Sequence, residues 1–361
     1  MSECEKLACF QLKQTEKNKV MLADMQALTQ WHYQHCLAYR SFIDSLGGLH
    51  SYSSISDVPV LTASLFKDFD LKSIEDDQVF KVLSSSGTSA SSVSKIYLDK
   101  ETASQQSHAL VKIIQAFLGK QRRSMMLVEH SHSGANRYAF SARVAGAQGL
   151  SLFGRHHCYI LNEDMTLNLD AFQEFVDQYR EEPILIFGFT FMVWCHLLQE
   201  LDRLDIQVTL PHATLIHSGG WKKMQEQAVD ASTFKHKIFD RLGISDVHDF
   251  YGMVEQTGSI FMACEEGVLH CSDYSDILIR DLKTWKVCKE GEAGVIQVLS
   301  NLPKSYPGHN LLTEDLGVLL GEDSCNCGRQ GKFFKVLGRI PKTEARGCSD
   351  TYSEFNQKEP I

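Results

Sequence analysis

Three short uncharged runs set the limits on what this chain can fold into: Met125-Met126-Leu127-Val128, Ile184-Leu185-Ile186-Phe187 and Thr214-Leu215-Ile216. Each is shorter than a buried helix and lacks the polar alternation of a strand with one wet face. Each therefore reads as a strand covered on both sides. Amphipathic stretches separate them. Asp99 to Leu118 puts Leu110, Ile113, Ile114 and Phe117 on one helical face, and Leu169 to Tyr179 and Phe191 to about Leu204 read as two further helices. Helices alternating with buried strands predict an α/β fold with a largely parallel sheet flanked by helices. A further short apolar run, Val79 to Leu83, also has strand character. The strands end at Ser84, Glu129, Gly188 and Ser218, and ligands on such sheets bind outside the carboxyl ends. After about residue 260 the pattern changes to short β segments, Asp276 to Arg280, Gly294 to Leu299 and Leu316 to Leu319. Residues 1 to about 45 read as helical, with Leu22, Met25, Leu28 and Trp31 at helical spacing, and Gly243 is expected to close a helix.

The first strand runs into Ser84-Ser85-Ser86-Gly87-Thr88-Ser89 and closes on Lys95. Such a loop offers backbone N–H groups, hydroxyls and an ammonium to one anion, a polyphosphate above all. The spacing of a Walker loop is absent, and a flexible Ser-rich linker is the alternative. Three later stretches carry related chemistry. His217-Ser218-Gly219-Gly220-Trp221-Lys222 leaves a strand through two glycines, which allow a ligand close to the backbone. Asp249-Phe250-Tyr251-Gly252-Met253-Val254-Glu255 joins an aromatic residue, a glycine and an acid in one turn, and Leu312-Thr313-Glu314-Asp315-Leu316-Gly317 sets two acids ahead of a β segment. Taken singly, each is also an ordinary turn, a buried tyrosine or a capping acid.

In this order the four stretches resemble the adenylate-forming (ANL) superfamily. The similarity is greatest to its phenylacetate–CoA-ligase-like branch and to the LuxE-type acyl-protein synthetases, and it covers about residues 57 to 350. The resemblance implies a large adenylation domain with a small β subdomain, lacking the full C-terminal lid domain. It implies an adenylate-forming domain at 57–338, which the helical reading of the N-terminus precedes with a segment at 1–56. It also implies a possible zinc subdomain near 260–335 and a tail at 339–361. By the same resemblance Ser85, Ser86, Gly87 and Thr88 would lie over the β- and γ-phosphates of ATP, and Gly219 and Gly220 would border the adenine. Tyr251 would pack on the adenine, Glu255 would hold Mg2+, Asp315 would accept the ribose hydroxyls, and Arg339 would sit at the hinge. Lys95 and Lys222 are candidate charge partners.

LuxE-type proteins end in a Gly-Cys-Ser similar to Gly347-Cys348-Ser349. There the cysteine receives the acyl group. Lys342 and Arg346 nearby favour the thiolate, which is the nucleophile. Only 22 residues follow Arg339, too few for a lid domain, so self-acylation is expected over transfer to CoA. Cys264 and His270, with Cys325 and Cys327 further on, supply three thiols and an imidazole, a tetrahedral structural Zn2+ set. The phenylacetate–CoA-ligase-like branch has a similar arrangement. Cys271 competes for the same place, unrelated buried cysteines are the alternative reading, and the bioluminescence synthetases lack these cysteines. Phe187, Phe189, Phe191 and Trp194 are candidates for the wall of an acyl tunnel as well as for core. His130, His132, His156 and His157 read as loop histidines.

The formal net charge of −9 argues against a nucleic-acid surface, and no uncharged apolar run reaches the ~20 residues a membrane span needs. Eleven cysteines without a secretory signal point to reduced thiols, metal ligands or catalysis rather than disulfides, and a cytoplasmic setting is expected. The expected function is therefore an ATP-dependent acyl-protein synthetase. It activates a carboxylic acid, a fatty acid above all, and hands the acyl group to a reductase or an acyl carrier. A free-standing acyl-CoA or acyl-carrier ligase is the first alternative. A non-catalytic nucleotide- or acyl-binding module is the second.

Overall fold

The computed structural model describes residues 9–85, 93–131, 149–221 and 226–340. Among the described residues one sheet counts twelve strands. In chain order the strands are β1 (Leu61–Thr62), β2 (Lys81–Ser84), β3 (Lys95–Leu98), β4 (Arg123–His130), β5 (Gly154–Leu161), β6 (Ile184–Phe189) and β7 (Ala213–Ser218). They continue with β8 (Asp246–Tyr251), β9 (Phe261–Ala263), β10 (Leu269–His270), β11 (Ser275–Arg280), β12 (Ala293–Ser300), β13 (Asn310–Glu322) and β14 (Lys332–Arg339). The sheet runs β11-β12-β13-β14-β10-β9-β8-β7-β6-β4-β5, with β1 beside β13, while β2 and β3 form a separate hairpin.

The half from β5 to β8 is parallel throughout. Its strands are the apolar runs of the sequence, and Ile184, Leu185 and Ile186 are all fully buried, worth about 1.5–3 kcal/mol each. From β9 onward the ladder turns antiparallel within the same sheet. The α/β fold with a parallel sheet is thus borne out, and the later β segments extend that sheet.

The helices are α1 (Gln14–His35), α2 (Leu37–Ser45), α3 (Leu65–Asp68), α4 (Lys100–Leu118), α5 (Leu169–Tyr179), α6 (Thr190–Met192), α7 (Gln199–Arg203) and α8 (Ala231–Leu242). A π-helical turn, Val193–Leu198, joins α6 to α7. Starts and stops follow local chemistry. The Asp99 carboxylate accepts from Thr102 N at 2.7 Å at the head of α4, and Asp230 does the same for Thr233 N at 2.7 Å at the head of α8. Gly243 closes α8 in the left-handed conformation, as expected, with its N–H on Phe239 O at 2.9 Å.

Helices α5, α8 and the run from α6 to α7 cover one face of the parallel half, and α4 covers the other with Phe10. The buried stripe of α1 differs from the expected one. It consists of Gln14, Lys17, Met21, Met25, Thr29 and His32, while Leu22, Leu28 and Trp31 are only partly buried. Polar partners explain the rotation. Gln14 Nε2 donates to Asp276 Oδ2 at 2.8 Å and Lys17 Nζ donates to Cys271 O at 3.3 Å. Thr29 Oγ1 and His309 Nε2 are 3.0 Å apart. Hydrophobic periodicity registers none of these bonds.

Candidate active site

The carboxyl ends of β7 and β8 and the middle of β13 gather most of the described candidates. β8 ends at Tyr251, whose hydroxyl donates to Asp315 Oδ2 at 2.7 Å. Burial, then the neighbouring Asp315 charge, raises the Tyr251 phenol well above its ordinary range, so it remains the donor. Asp315 is positioned twice over on β13. Its N–H donates to Thr313 Oγ1 at 3.1 Å, and that hydroxyl donates in turn to Ile296 O at 2.8 Å. Arg339 stands opposite Asp315 in the β13–β14 ladder, with Nε 3.6 Å from Oδ1. Tyr251, Asp315 and Arg339 therefore form one cluster, and the Tyr251 ring packs against Phe261 and Phe334.

Glu255 lies four residues beyond Tyr251, in a 3-10 turn, and is buried to 7% exposure. Burial pushes its carboxyl up, while the Ser94 hydroxyl and the Lys67 ammonium pull it down. Ser94 joins this carboxylate to the Ser-rich loop. Ser85 N donates to Ser94 O at 3.1 Å, and Ser94 N donates to Ser85 Oγ at 3.0 Å. The neck of the loop thus stands against Glu255, with the Ser94 hydroxyl between them. Gly258 closes the turn at φ +88°, where a Cβ would meet Gln106 O at 2.5 Å, so only glycine packs the turn this closely on α4. Ser86, Gly87 and Thr88 lie outside the described residues.

β7 delivers Gly219 and Gly220. Gly219 has φ +85°, and a Cβ there would meet the Phe189 ring at 3.0 Å. Among the described residues nothing lies within 4 Å of where a Cβ on Gly220 would stand. Beside them His217 pairs with Asp249 in the parallel ladder. Thr190 Oγ1 is 2.9 Å from His217 Nδ1, and Asp249 Oδ1 is 3.6 Å from the same nitrogen. Burial holds His217 down at about 3 and so neutral. Asp249 keeps half its side-chain surface in solvent, yet the crowding of protein around it pushes its carboxyl up to about 7. In a strand, residues two apart share a face, so Asp249 projects on the side of Tyr251.

Lys95 Nζ lies 3.7 Å from Asp70 Oδ1 in a solvent-exposed pair. Lys222 and Cys348 lie outside the described residues. Phe187 is core, whereas Phe189, Phe191 and Trp194 are partly buried around the ends of β6 and β7. Four contributors were missed in the sequence: Ser94, Lys67, Thr313 and the His217–Asp249 pair. The strand Asp246–Tyr251, which puts Asp249 on the face of Tyr251, is the signal that could have found Asp249. Nothing local pointed to Ser94 or Lys67, which meet Glu255 only through the fold.

Away from this site, the ligand atoms of Cys264, His270, Cys325 and Cys327 lie within 4.8 Å of one another. Cys264 Sγ is 3.8 Å from Cys325 Sγ, and Cys327 Sγ is 3.3 Å from His270 Nε2. A tetrahedron of Zn–S bonds near 2.3 Å has S···S edges of ~3.8 Å. His270 Nδ1 is buried without a hydrogen-bond partner among the described residues. Cys271 is fully buried outside the cluster, near Lys17 and Asp276, and desolvation pushes its thiol up to about 12. Arg329 braces the knuckle: it is buried, 2.8 Å from Glu265, with its guanidinium 4.2 Å from the Phe117 ring centroid.

A family model described as acyl-protein synthetase, LuxE, matches residues 6–356. The long-chain-fatty-acid–luciferin-component ligase of Vibrio harveyi is 21% identical over 336 residues, spanning 90% of this chain and 85% of that protein. Two solved structures of 2-hydroxyisobutyryl-CoA ligase are similar in fold. The open conformation with 2-HIB-AMP and CoA gives a TM-score of 0.69 at 17% identity, over 92% of this chain and 76% of that one. The postadenylation state with 2-HIB-AMP gives 0.69 at 16% identity, over 91% and 69%.

Proposed function

The chain belongs to the LuxE acyl-protein synthetase family, and from that premise we propose that it activates a fatty acid with ATP and carries the acyl group on its own Cys348. What supports the reading is the Tyr251–Asp315–Arg339 cluster, with buried Glu255 against the neck of the Ser-rich loop at the end of the same parallel strands. Activation joins a carboxylate oxygen to the α-phosphorus of ATP and breaks the bond to pyrophosphate, which leaves. Chemistry of this kind needs positioning and charge cancellation rather than a covalent protein intermediate.

Asp315 accepts the ribose hydroxyls, fixed by Thr313 and Tyr251. Gly219 and Gly220 let the adenine approach the backbone, and Ser85, Ser86, Gly87 and Thr88 donate to the terminal phosphates. Glu255 would hold Mg2+, which when bound neutralises phosphate charge. In the second step the Cys348 thiolate attacks the acyl carbon, the C–O bond to AMP breaks, and a thioester remains for a reductase or another acceptor. The test is labelled fatty acid plus ATP. Hydroxylamine-labile label is expected on the wild type and not on Cys348→Ser. Label retained by the variant contradicts the cysteine assignment, and CoA-dependent turnover persisting in the variant identifies a CoA ligase instead.

Cys264, His270, Cys325 and Cys327 fit a structural Zn2+, with the sulfur spacing and the His270 Nε2 facing Cys327 Sγ as support. Elemental analysis of the purified protein is expected to give about one zinc per chain. Cys327→Ser should lose it and Cys271→Ser keep it. Metal retained in the first variant, or lost in the second, refutes the ligand set.

A further inference from the structure

We propose that the tip of the β11–β12 hairpin, centred on Trp285, is a docking surface for an anionic lipid bilayer. Three large apolar side chains stand exposed there within six residues: Leu282 at 49%, Trp285 at 53% and Val287 at 42%. Lys283, Lys286 and Lys289 alternate with them and are exposed as well. Between Leu282 and Lys289 these lysines are the charged residues, in a chain whose net charge is −9. The acids nearby stand at the root of the tip. Asp281 is tied into the turn, and Glu292 accepts from Lys289 N at 2.8 Å, with Glu290 beside it. An indole flanked by aliphatic residues and ammonium groups matches the chemistry of a bilayer interface: apolar surface enters the acyl boundary while the lysines meet anionic headgroups.

The tip is built to hold this presentation. Trp285 has a left-handed φ of 58°, which bulky residues seldom adopt. Asp281 Oδ1 accepts from Lys283 N at 3.1 Å, Thr284 N at 2.7 Å and Thr284 Oγ1 at 2.8 Å, while Trp285 N donates to Asp281 O at 3.0 Å. Arg280 Nη1 donates to Trp285 O at 3.1 Å. Five hydrogen bonds thus fix the backbone of the turn that presents the half-exposed indole. At the root of the hairpin Ala293 pairs with Val318, on the strand that carries Asp315. Docking at the tip would bring the sheet end used by the proposed active site close to the bilayer, where a long-chain acid partitions.

The test is sedimentation of the full chain with vesicles of phosphatidylcholine and phosphatidylglycerol at about 2:1, against vesicles of phosphatidylcholine alone. Wild-type protein is expected to sediment with the anionic vesicles and to be released by added salt. Trp285→Ala and the pair Lys283→Glu with Lys286→Glu should each weaken that partition at least about tenfold. The lysine pair changes solvent-facing groups alone, so it decides the matter even if Trp285→Ala fails to fold. Wild-type protein left in the supernatant, or variants that sediment like wild type, overturns the proposal. So does lipid-free self-association that Trp285→Ala abolishes, because the occupant would then be protein. The assay uses neither ATP nor fatty acid, so its failure is distinguishable from failure of the proposed activity.

Discussion

Tyr251 and Asp315 are 64 positions apart in the chain, yet the phenol donates to the carboxylate at 2.7 Å. Hydrogen bonds to charged groups contribute about 1.5–3 kcal/mol, so Tyr251→Phe is expected to raise the KM for ATP roughly tenfold or more, with a smaller effect on kcat. Steady-state kinetics with varied ATP checks this, and an unchanged KM would leave the tyrosine a core residue. Glu255 makes a pH prediction. Burial raises its carboxyl, so the protonated form persists above the range of an ordinary glutamate, and adenylation should fail as pH drops through that raised value. Because Mg2+ and the proton compete for one carboxylate, more Mg2+ should move the acid limb to lower pH. A limb indifferent to Mg2+ concentration would argue that Glu255 does not hold the ion.

At the scale of elements, α1 is pinned by an imidazole pair. His32 and His309 are both buried and stack at 5.0 Å between ring centroids. His32 Nδ1 is 2.7 Å from Ser73 Oγ, and Tyr39 OH is 3.4 Å from His309 Nε2. Burial holds His309 at about 3 and His32 well below its ordinary value. Both are neutral in the folded chain, whereas the unfolded chain takes up protons below about pH 6.5. Stability from His309 is therefore present above about pH 6.5 and lost as pH falls toward 3, and His32 adds to that loss in the same direction. Denaturant titrations of His309→Gln should show a shallower acid loss than wild type, and equal slopes would contradict the assignment. The helix itself was legible in the sequence, but its buried face was not. Its inward contacts at Gln14, Lys17, Thr29 and His32 are polar and become visible only with their partners in place. By contrast β6 and α5 could be read almost residue by residue, because burial there is purely apolar.

For the molecule as a whole, alternation of buried strands and helices carried the parallel half of the sheet and the positions of its carboxyl ends. The antiparallel half was less legible. Its strands are short or bulged, as at Val295/Gln297 and Leu316/Gly317, and half-wet positions blur the period. Site residues were found where a turn concentrates them and missed where distant segments converge, as with Ser94 and Lys67 on Glu255. The proposed activity depends on that convergence. Its most direct test is fatty-acid-dependent exchange of labelled pyrophosphate into ATP, which reads adenylation without requiring Cys348 or any acceptor. Wild type and Cys348→Ser are expected to exchange alike, while Glu255→Ala and Asp315→Ala fall by about a hundredfold or more. Undiminished exchange in both Glu255→Ala and Asp315→Ala, or none in the wild type with any fatty acid supplied, would contradict it.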